Sequence, residues 1–412
     1  MPKFLWTQRS NFGPSSRAFH GAAYDSDRRR VVLFGGSRNQ AGAFFGDTWE
    51  WDGSYWTQMD DIGPAPRSGH AMSYDSNRQV TLLFGGTIAG ANAAGANAND
   101  TWQWDGEEWT QLADSGPSPR FSHAMAFDPG RKSTVLFGGN SAVGPAGNLS
   151  LLQDTWEFDG EEWTQKEDVG PAARGSHIMA YDATGKRVVM FGGHPTLSDT
   201  WAWDGKTWTQ LSEFGPPGRE NAGMAGSADA MVLFGGSGAA NVLGDTWQFD
   251  GKLWTQRQDI GPGARLGHAL VFDSDRNRVV LFGGSSKNEG NDPSALLADT
   301  WENETDQAPP PPPVSVASLQ LTPNSGNPGD VVYAILTLTG PAPTPTPIQI
   351  GIMAVGIQIM LPAVTFPAYA TTFGASITVP DVGLVFGTHI HLTFSAQIIG
   401  TPPVTATFIY RV

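Results

Sequence analysis

Apolar and polar positions alternate over short stretches along the whole chain, and no segment sustains the 3.6-residue period of a helix. The pattern is clearest between Arg67 and Leu112. Ser68–Tyr74 reads as a first strand, a. The polar turn Asp75–Gln79 leads into the apolar run Val80–Phe84, strand b, which stops at Gly85-Gly86. A loop rich in Gly, Ala and Asn follows, then Asp100–Trp104 as strand c. Asp105-Gly106 makes a tight turn into Trp109–Leu112, strand d. Strands joined in this order form an antiparallel meander.

The unit recurs six times. FGG begins at Phe34, Phe84, Phe137, Phe191, Phe234 and Phe282, and DTW at Asp47, Asp100, Asp154, Asp199, Asp245 and Asp299. WTQ begins at Trp6, Trp56, Trp109, Trp163, Trp208 and Trp254. A G-P-x-x-R turn ends at Arg17, Arg67, Arg120, Arg174, Arg219 and Arg265. The chain opens on a lone strand d, Leu5–Gln8, and its sixth repeat stops at strand c, Asp299–Glu302. The missing strand is therefore expected from the N-terminus, which would close a circle of sheets and remove open edges.

The double glycine after an apolar run, the later Tyr/Trp-Asp-Gly and the spaced tryptophans resemble the kelch repeat family. The resemblance covers about three quarters of the chain and implies a six-bladed β-propeller over residues 1–307. It leaves function open, because kelch propellers include scaffolds, adaptors, sugar-active enzymes and structural proteins.

Pro309–Pro313 reads as a stiff spacer within a linker at 308–314. Beyond it, Val331–Leu338, Ile348–Ile352 and His391–Ser395 alternate between Pro/Gly turns, which suits a β-sandwich over 315–412. Runs such as Leu361-Pro362-Ala363-Val364 and Ile377-Thr378-Val379-Pro380 resemble bacterial Ig-like modules. The fold class expected for the whole chain is all-β, a propeller followed by an Ig-like sandwich.

Charge narrows the partners. Of the formal −15, nearly all falls before residue 308, where every lysine and every arginine except Arg411 also lies. An acidic surface repels phosphate backbones, so nucleic acid is not expected as a partner. No stretch is long and apolar enough to span a bilayer, and the N-terminus lacks a signal-peptide pattern. There is no cysteine, which excludes disulfides, thiolate metal sites and cysteine nucleophiles. The charge-poor tail suggests a surface covered in an assembly.

Most conspicuous residues occupy repeat positions. All fifteen tryptophans do, so packing between sheets accounts for them. His20, His70, His123, His177 and His268 follow the repeat Arg by three residues. Equivalent places on neighbouring sheets lie too far apart for one ion at ~2.1 Å per bond, so a buried hydrogen-bonding role is expected. Asp61, Asp114, Asp168 and Asp259 are expected to pair with the nearby repeat arginines. Repeat five breaks the pattern: Arg219 is followed by Glu220, Asn221 and Ala222, and Ser227-Ala228-Asp229 replaces the Tyr/Phe-Asp turn.

Candidate ligand contacts are therefore Arg219, Glu220 and Asn221, with His194 from the loop between strands b and c of the preceding repeat. Phe44, Phe45, Phe121, Phe214 and Phe12 would add apolar contacts on the face where the b–c and d–a loops emerge. No cofactor is expected. Asn97–Asp100 and Asn288–Asp292 suggest calcium without matching a known loop signature. The function expected is non-enzymatic recognition of a protein or glycan at a cell surface, appendage or virus particle. The alternatives are a sugar-active enzyme and a structural part of a particle. Galactose oxidase has a similar propeller and Ig-like pairing, but its copper chemistry needs a Tyr–Cys crosslink, which a chain without cysteine lacks.

Overall fold

Four of the six repeats carry aspartates at both of their tight turns. In the computed structural model, Asp25 Oδ1 accepts the backbone N–H groups of Asp27 (3.0 Å) and Arg28 (2.9 Å) at the a–b turn. Asp105 Oδ1 does the same for Glu107 (2.8 Å) and Glu108 (2.9 Å) at the c–d turn. An aspartate that satisfies the N–H groups two and three residues ahead holds the chain in an Asx-turn and sets the strand register.

The structure describes residues 4–10, 12–38, 43–59, 62–88, 96–113, 116–143, 148–166, 170–212, 215–227, 230–257, 259–288 and 292–304, and from residue 316 onward the strands alone. The chain divides into two compact units, Met1–Gln307 and Ala308–Val412.

In the first unit the strands form a series of four-stranded antiparallel sheets of the β-propeller type. The second repeat gives Ala71–Asp75, Val80–Phe84, Thr101–Trp104 and Trp109–Ala113, hydrogen-bonded in that order. The strand a segments of the other sheets are Gly21–Asp25, Ala124–Asp128, Ile178–Asp182, Gly223–Gly226 and Ala269–Asp273. In the sixth sheet, Phe4–Ser10 lies antiparallel to Thr300–Glu304, with Trp6 opposite Asn303. The short segment Asp259–Ile260 runs parallel along the other edge of Phe4–Ser10.

Apolar strand b residues fill the spaces between sheets. Val32 and Phe34 of the first sheet meet Leu83, Trp104 and Trp109 of the second. Val280 and Phe282 of the sixth meet Val31, Leu33, Trp51 and Trp56 of the first. Fully burying each such side chain stabilises by about 1.5–3 kcal/mol. The strand d tryptophans add a directed bond. Trp109 Nε1 donates to Thr48 Oγ1 of the preceding sheet at 2.8 Å, and Trp163, Trp208 and Trp254 repeat this with Thr101, Thr155 and Thr200 at 2.9 Å. Trp6 reaches Thr246 (3.4 Å) and Trp56 reaches Thr300 (2.8 Å), which links the first sheet to the sixth.

A second set of indoles depends on the neighbour. Trp104 Nε1 donates to Glu50 of the preceding sheet (2.9 Å), Trp203 to Glu157 (2.8 Å) and Trp51 to Glu302 (3.4 Å). Where the preceding sheet has Gln103 or Ala202 instead of Glu, the following sheet has Phe158 or Phe249 instead of Trp.

The sequence between strands b and c reads as a loop in every repeat, but in the third it is partly strand: Ser133–Val143 pairs with Asn148–Phe158, with a register shift between Phe137 and Gly139. Gly138 and Gly139 have φ of 58° and 101°, so the FGG glycines form a bulge. Pairing then resumes with Gly139 opposite Leu152 and runs to Val143 opposite Asn148.

In the second unit, Val316–Thr322, Val331–Leu338 and Thr372–Thr378 form one sheet. His389–Ile398, Val404–Arg411 and Thr346–Ala354 form the body of another. The linker expected at 308–314 lies outside the described residues. Among the described residues no helix is long and apolar enough to cross a membrane.

Candidate functional site

The repeat arginine anchors the end of each sheet where strand a begins. Arg219 is 1% exposed. Its guanidinium grips both oxygens of Asp245 (2.7 and 2.9 Å) and donates to the carbonyls of Pro217 and Gly235. Arg17 with Asp47 and Arg120 with Asp154 have the same geometry. Burial acts to raise the Asp245 carboxyl, but the bonds and charge of Arg219 and the Trp247 indole outweigh it and hold it below the ordinary value. The partner expected from sequence was wrong. Each arginine pairs with the DTW aspartate, because strand c starts at the same end of the sheet as strand a. Asp61, Asp114 and Asp168 lie outside the described residues.

Two residues past each arginine the backbone turns left-handed. Phe19, Ser122, Ser176 and Asn221 have φ between 53° and 57°, and Gly69 and Gly267 have 67° and 61°. These six residues bond only through their peptides, in one direction. Gly69 N–H donates to Phe19 O, Ser122 to Gly69, Ser176 to Ser122, Asn221 to Ser176, Gly267 to Asn221 and Phe19 to Gly267, at 2.7–2.9 Å. The result is a collar of six hydrogen bonds around the channel mouth on the b–c side. A left-handed side-chain residue costs roughly 1–2 kcal/mol, and the collar offsets this by satisfying all six N–H groups.

Beneath the collar the histidines line a cavity of about 190 Å³. Each is buried, with its ring edge-on to the FGG phenylalanine of the preceding sheet, as His70 is to Phe34 (centroids 5.7 Å). His70 Nε2 also accepts the Gly21 N–H at 3.1 Å. Burial, then the neighbouring arginine, pushes His70, His177 and His268 down to about 3, so they are neutral at pH 7. The sixth place in this ring is Ala222.

Around the collar, the residue after each arginine bridges to the residue after each FGG, as Phe121 does to Asn140 and Glu220 to Ser237. Of these twelve positions only His194 and Glu220 are ionisable. They meet across the boundary of the fourth and fifth sheets. His194 Nδ1 lies 3.0 Å from Glu220 Oε1, and Thr196 Oγ1 donates to the same oxygen at 3.4 Å. The His194 side chain is 55% exposed and that of Glu220 22%. The structure thus brings together His194, Glu220 and Asn221, three of the residues singled out from sequence, and adds Thr196, which carried no sequence signal.

The other candidates fall elsewhere. Phe45 is buried, with the guanidinium groups of Arg17 and Arg38 over its ring at 3.8 and 4.3 Å. Phe44 bridges to Ser37, Phe12 is 89% exposed, and Phe214 lies outside the described residues. Among the described residues no three His, Asp or Glu side chains converge as a metal site. Asp100 is held by Arg67 and Asp292 by Lys287.

The missing Tyr/Phe-Asp turn of repeat five has a structural cause. The a–b arginines Arg28, Arg78, Arg131 and Arg276 lie against the c–d turn glycine of the next sheet, at Gly106, Gly160, Gly205 and Gly53. The sixth sheet takes its strand d from the N-terminus and has no such turn, so the fifth has no glycine to cover.

The repeat geometry agrees with a sequence profile, the KLHDC2/KLHL20/DRC7 Kelch-repeats domain, which matches residues 3–193 and 160–325. The chain belongs to the kelch-repeat family. Among solved structures, the kelch chain resembles YjhT at a TM-score of 0.55 and 14% identity, over 71% of this chain and 96% of that one, which shows a shared fold. An exo-beta-1,3-galactanase from Phanerochaete chrysosporium aligns at a TM-score of 0.38 and 8% identity, over 98% of this chain and 99% of that one. The GH74 enzyme of Niastella koreensis aligns at 0.39 and 12% identity, over 97% of this chain and 67% of that one. At these scores neither informs function. No match was found among curated proteins.

Proposed function

We propose that the kelch unit is a closed six-bladed propeller and that the chain is a recognition protein, binding a protein or glycan on the face that carries the collar. The His194–Glu220 pair carries this reading. It is the one ionisable feature among the twelve bridging positions around the collar, and Thr196 and Asn221 beside it supply hydroxyl and amide groups. Bonds from Trp56 to Thr300 and from Phe19 to Gly267 support closure. In this reading the second unit is an Ig-like sandwich that tethers the propeller to a cell surface, appendage or particle.

The test is a glycan array and a panel of purified surface proteins, probed with the intact chain and with Glu220→Ala and His194→Ala. Loss of about 1–3 kcal/mol of binding is expected for each. A ligand that binds both variants as well as it binds the parent refutes this site. A sugar-active enzyme is the second reading, because an imidazole 3.0 Å from a carboxylate is an acid–base pair. Turnover unaffected by Glu220→Gln removes it.

A further inference from the structure

The opposite mouth of the channel, where strand a ends, is built on other principles. Five sheets place an aromatic ring there: Tyr24, Tyr74, Phe127, Tyr181 and Phe272. The fifth sheet has Gly226 instead, and a Cβ at that position would run into the carbonyl of Tyr181. The aromatic ring of the mouth is therefore notched on one side. Deeper in stands a belt of Ala22, Met72, Met125, Met179, Met224 and Leu270. Rim and belt enclose a cavity of about 500 Å³, within the size range of small-molecule sites.

Among the described residues, none of the side chains lining this cavity carries a formal charge. The polar groups at its edge are Ser76, Ser274 and Asn277. The strand a segments supply more: each ends its sheet with a partner on one side only, which leaves peptide N–H and C=O groups along the channel edge. The histidines at the inner end are neutral, so no counter-charge waits there either. An anion would lose its hydration without a counter-charge and would face Asp27, whose carboxylate accepts the Tyr74 hydroxyl at 2.6 Å. An uncharged ligand gains aromatic contact at the rim, adaptable thioether packing at the belt and neutral hydrogen bonds between them.

We propose that this mouth binds an uncharged aromatic small molecule, at a site separate from the collar face. The probe is N-phenyl-1-naphthylamine, a neutral diaryl amine that fluoresces in apolar surroundings, titrated into the intact chain. Saturable binding at one site per chain is expected. Neutral naphthalenemethanol should displace it about tenfold better than anionic naphthoate, a difference of about 1.4 kcal/mol.

Ala183→Trp with Ser274→Trp, both exposed on the rim, should weaken binding about tenfold or more. Ser76→Trp, a single exposed change, should do the same in part. Ile62→Ser removes an exposed apolar side chain of a d–a loop and should change nothing. Native circular dichroism accompanies each measurement. Absence of saturable binding, equal displacement by naphthoate, or full binding in folded rim variants would each overturn the proposal.

Discussion

The buried histidines make the propeller acid-sensitive well above the range in which carboxylates titrate. An unfolded imidazole takes up a proton as the pH falls through its ordinary 6.5, whereas His70, His177 and His268 resist protonation down to about 3. Their folded values are lowered, so their stabilising contribution is complete above pH 6.5 and is lost progressively as the pH falls towards 3. Between pH 7 and pH 5 each loses about 2 kcal/mol, so these three together lose about 6 kcal/mol. That is a large part of the roughly 5–15 kcal/mol that separates folded from unfolded domains. His20 and His123, also held well below 6.5, act in the same direction.

The DTW aspartates contribute only lower down, because their lowered values affect stability as the pH falls towards and below the ordinary 3.8. The assay is urea unfolding at pH 7.5, 6.5, 5.5 and 5, followed by tryptophan fluorescence. All fifteen tryptophans precede residue 308, so the signal reads the propeller alone. His177→Gln should reduce the pH slope by about one proton, or about 1.4 kcal/mol per pH unit. Stability that stays flat from pH 7 to pH 5, or a slope unchanged in His177→Gln, would refute the reasoning.

Two further outcomes follow from the sixth sheet. Glu302→Gln removes the carboxylate that receives Arg9 and Arg278 at 2.9 Å and Arg276 at 3.3 Å. It should lower urea stability by about 1–3 kcal/mol, since charge-assisted bonds to three arginines become bonds to a neutral amide. Deleting residues 1–10 strips the outer strand from Thr300–Glu304. Size-exclusion chromatography should then show association through the bared edge, together with a lower Tm, and an unaltered monomer with unchanged Tm would contradict the pairing.

The repeat strands were legible because their pattern is local: an apolar run ending at paired glycines, and an Asp-Gly turn before WTQ. Val80–Phe84 falls where the residues put it. Interactions across sheets were not legible. Arg120 was expected to pair with nearby Asp114, because Asp154, which it grips, is 34 residues away and becomes close only when strands a and c start side by side. The left-handed collar left no mark in composition, since Phe19, Ser122 and Asn221 are unlike residues joined only by backbone conformation. The lost turn of repeat five became intelligible only once the sixth sheet was seen to lack a c–d turn. Glu220 was nominated from a pattern break and His194 from a b–c loop, and the two meet, because a residue that departs from a repeat is free of the packing duty its equivalents carry.

The Glu–Trp matches between sheets bear on how such a chain avoids misassembly. Near-identical tandem units invite exchange: one repeat can dock on the wrong neighbour, or on a copy in another molecule. Here Glu50, Glu157 and Glu302 each face an indole N–H supplied by the next unit, while Phe158 and Phe249 follow units that have no such acid. A unit docked out of order would bury a carboxylate against a phenyl ring or strand an indole donor, at roughly 1–3 kcal/mol for each group left unsatisfied. The match thus separates units that follow an acid from units that do not, and recombination that mixes the two classes would be penalised even though every unit has the same fold.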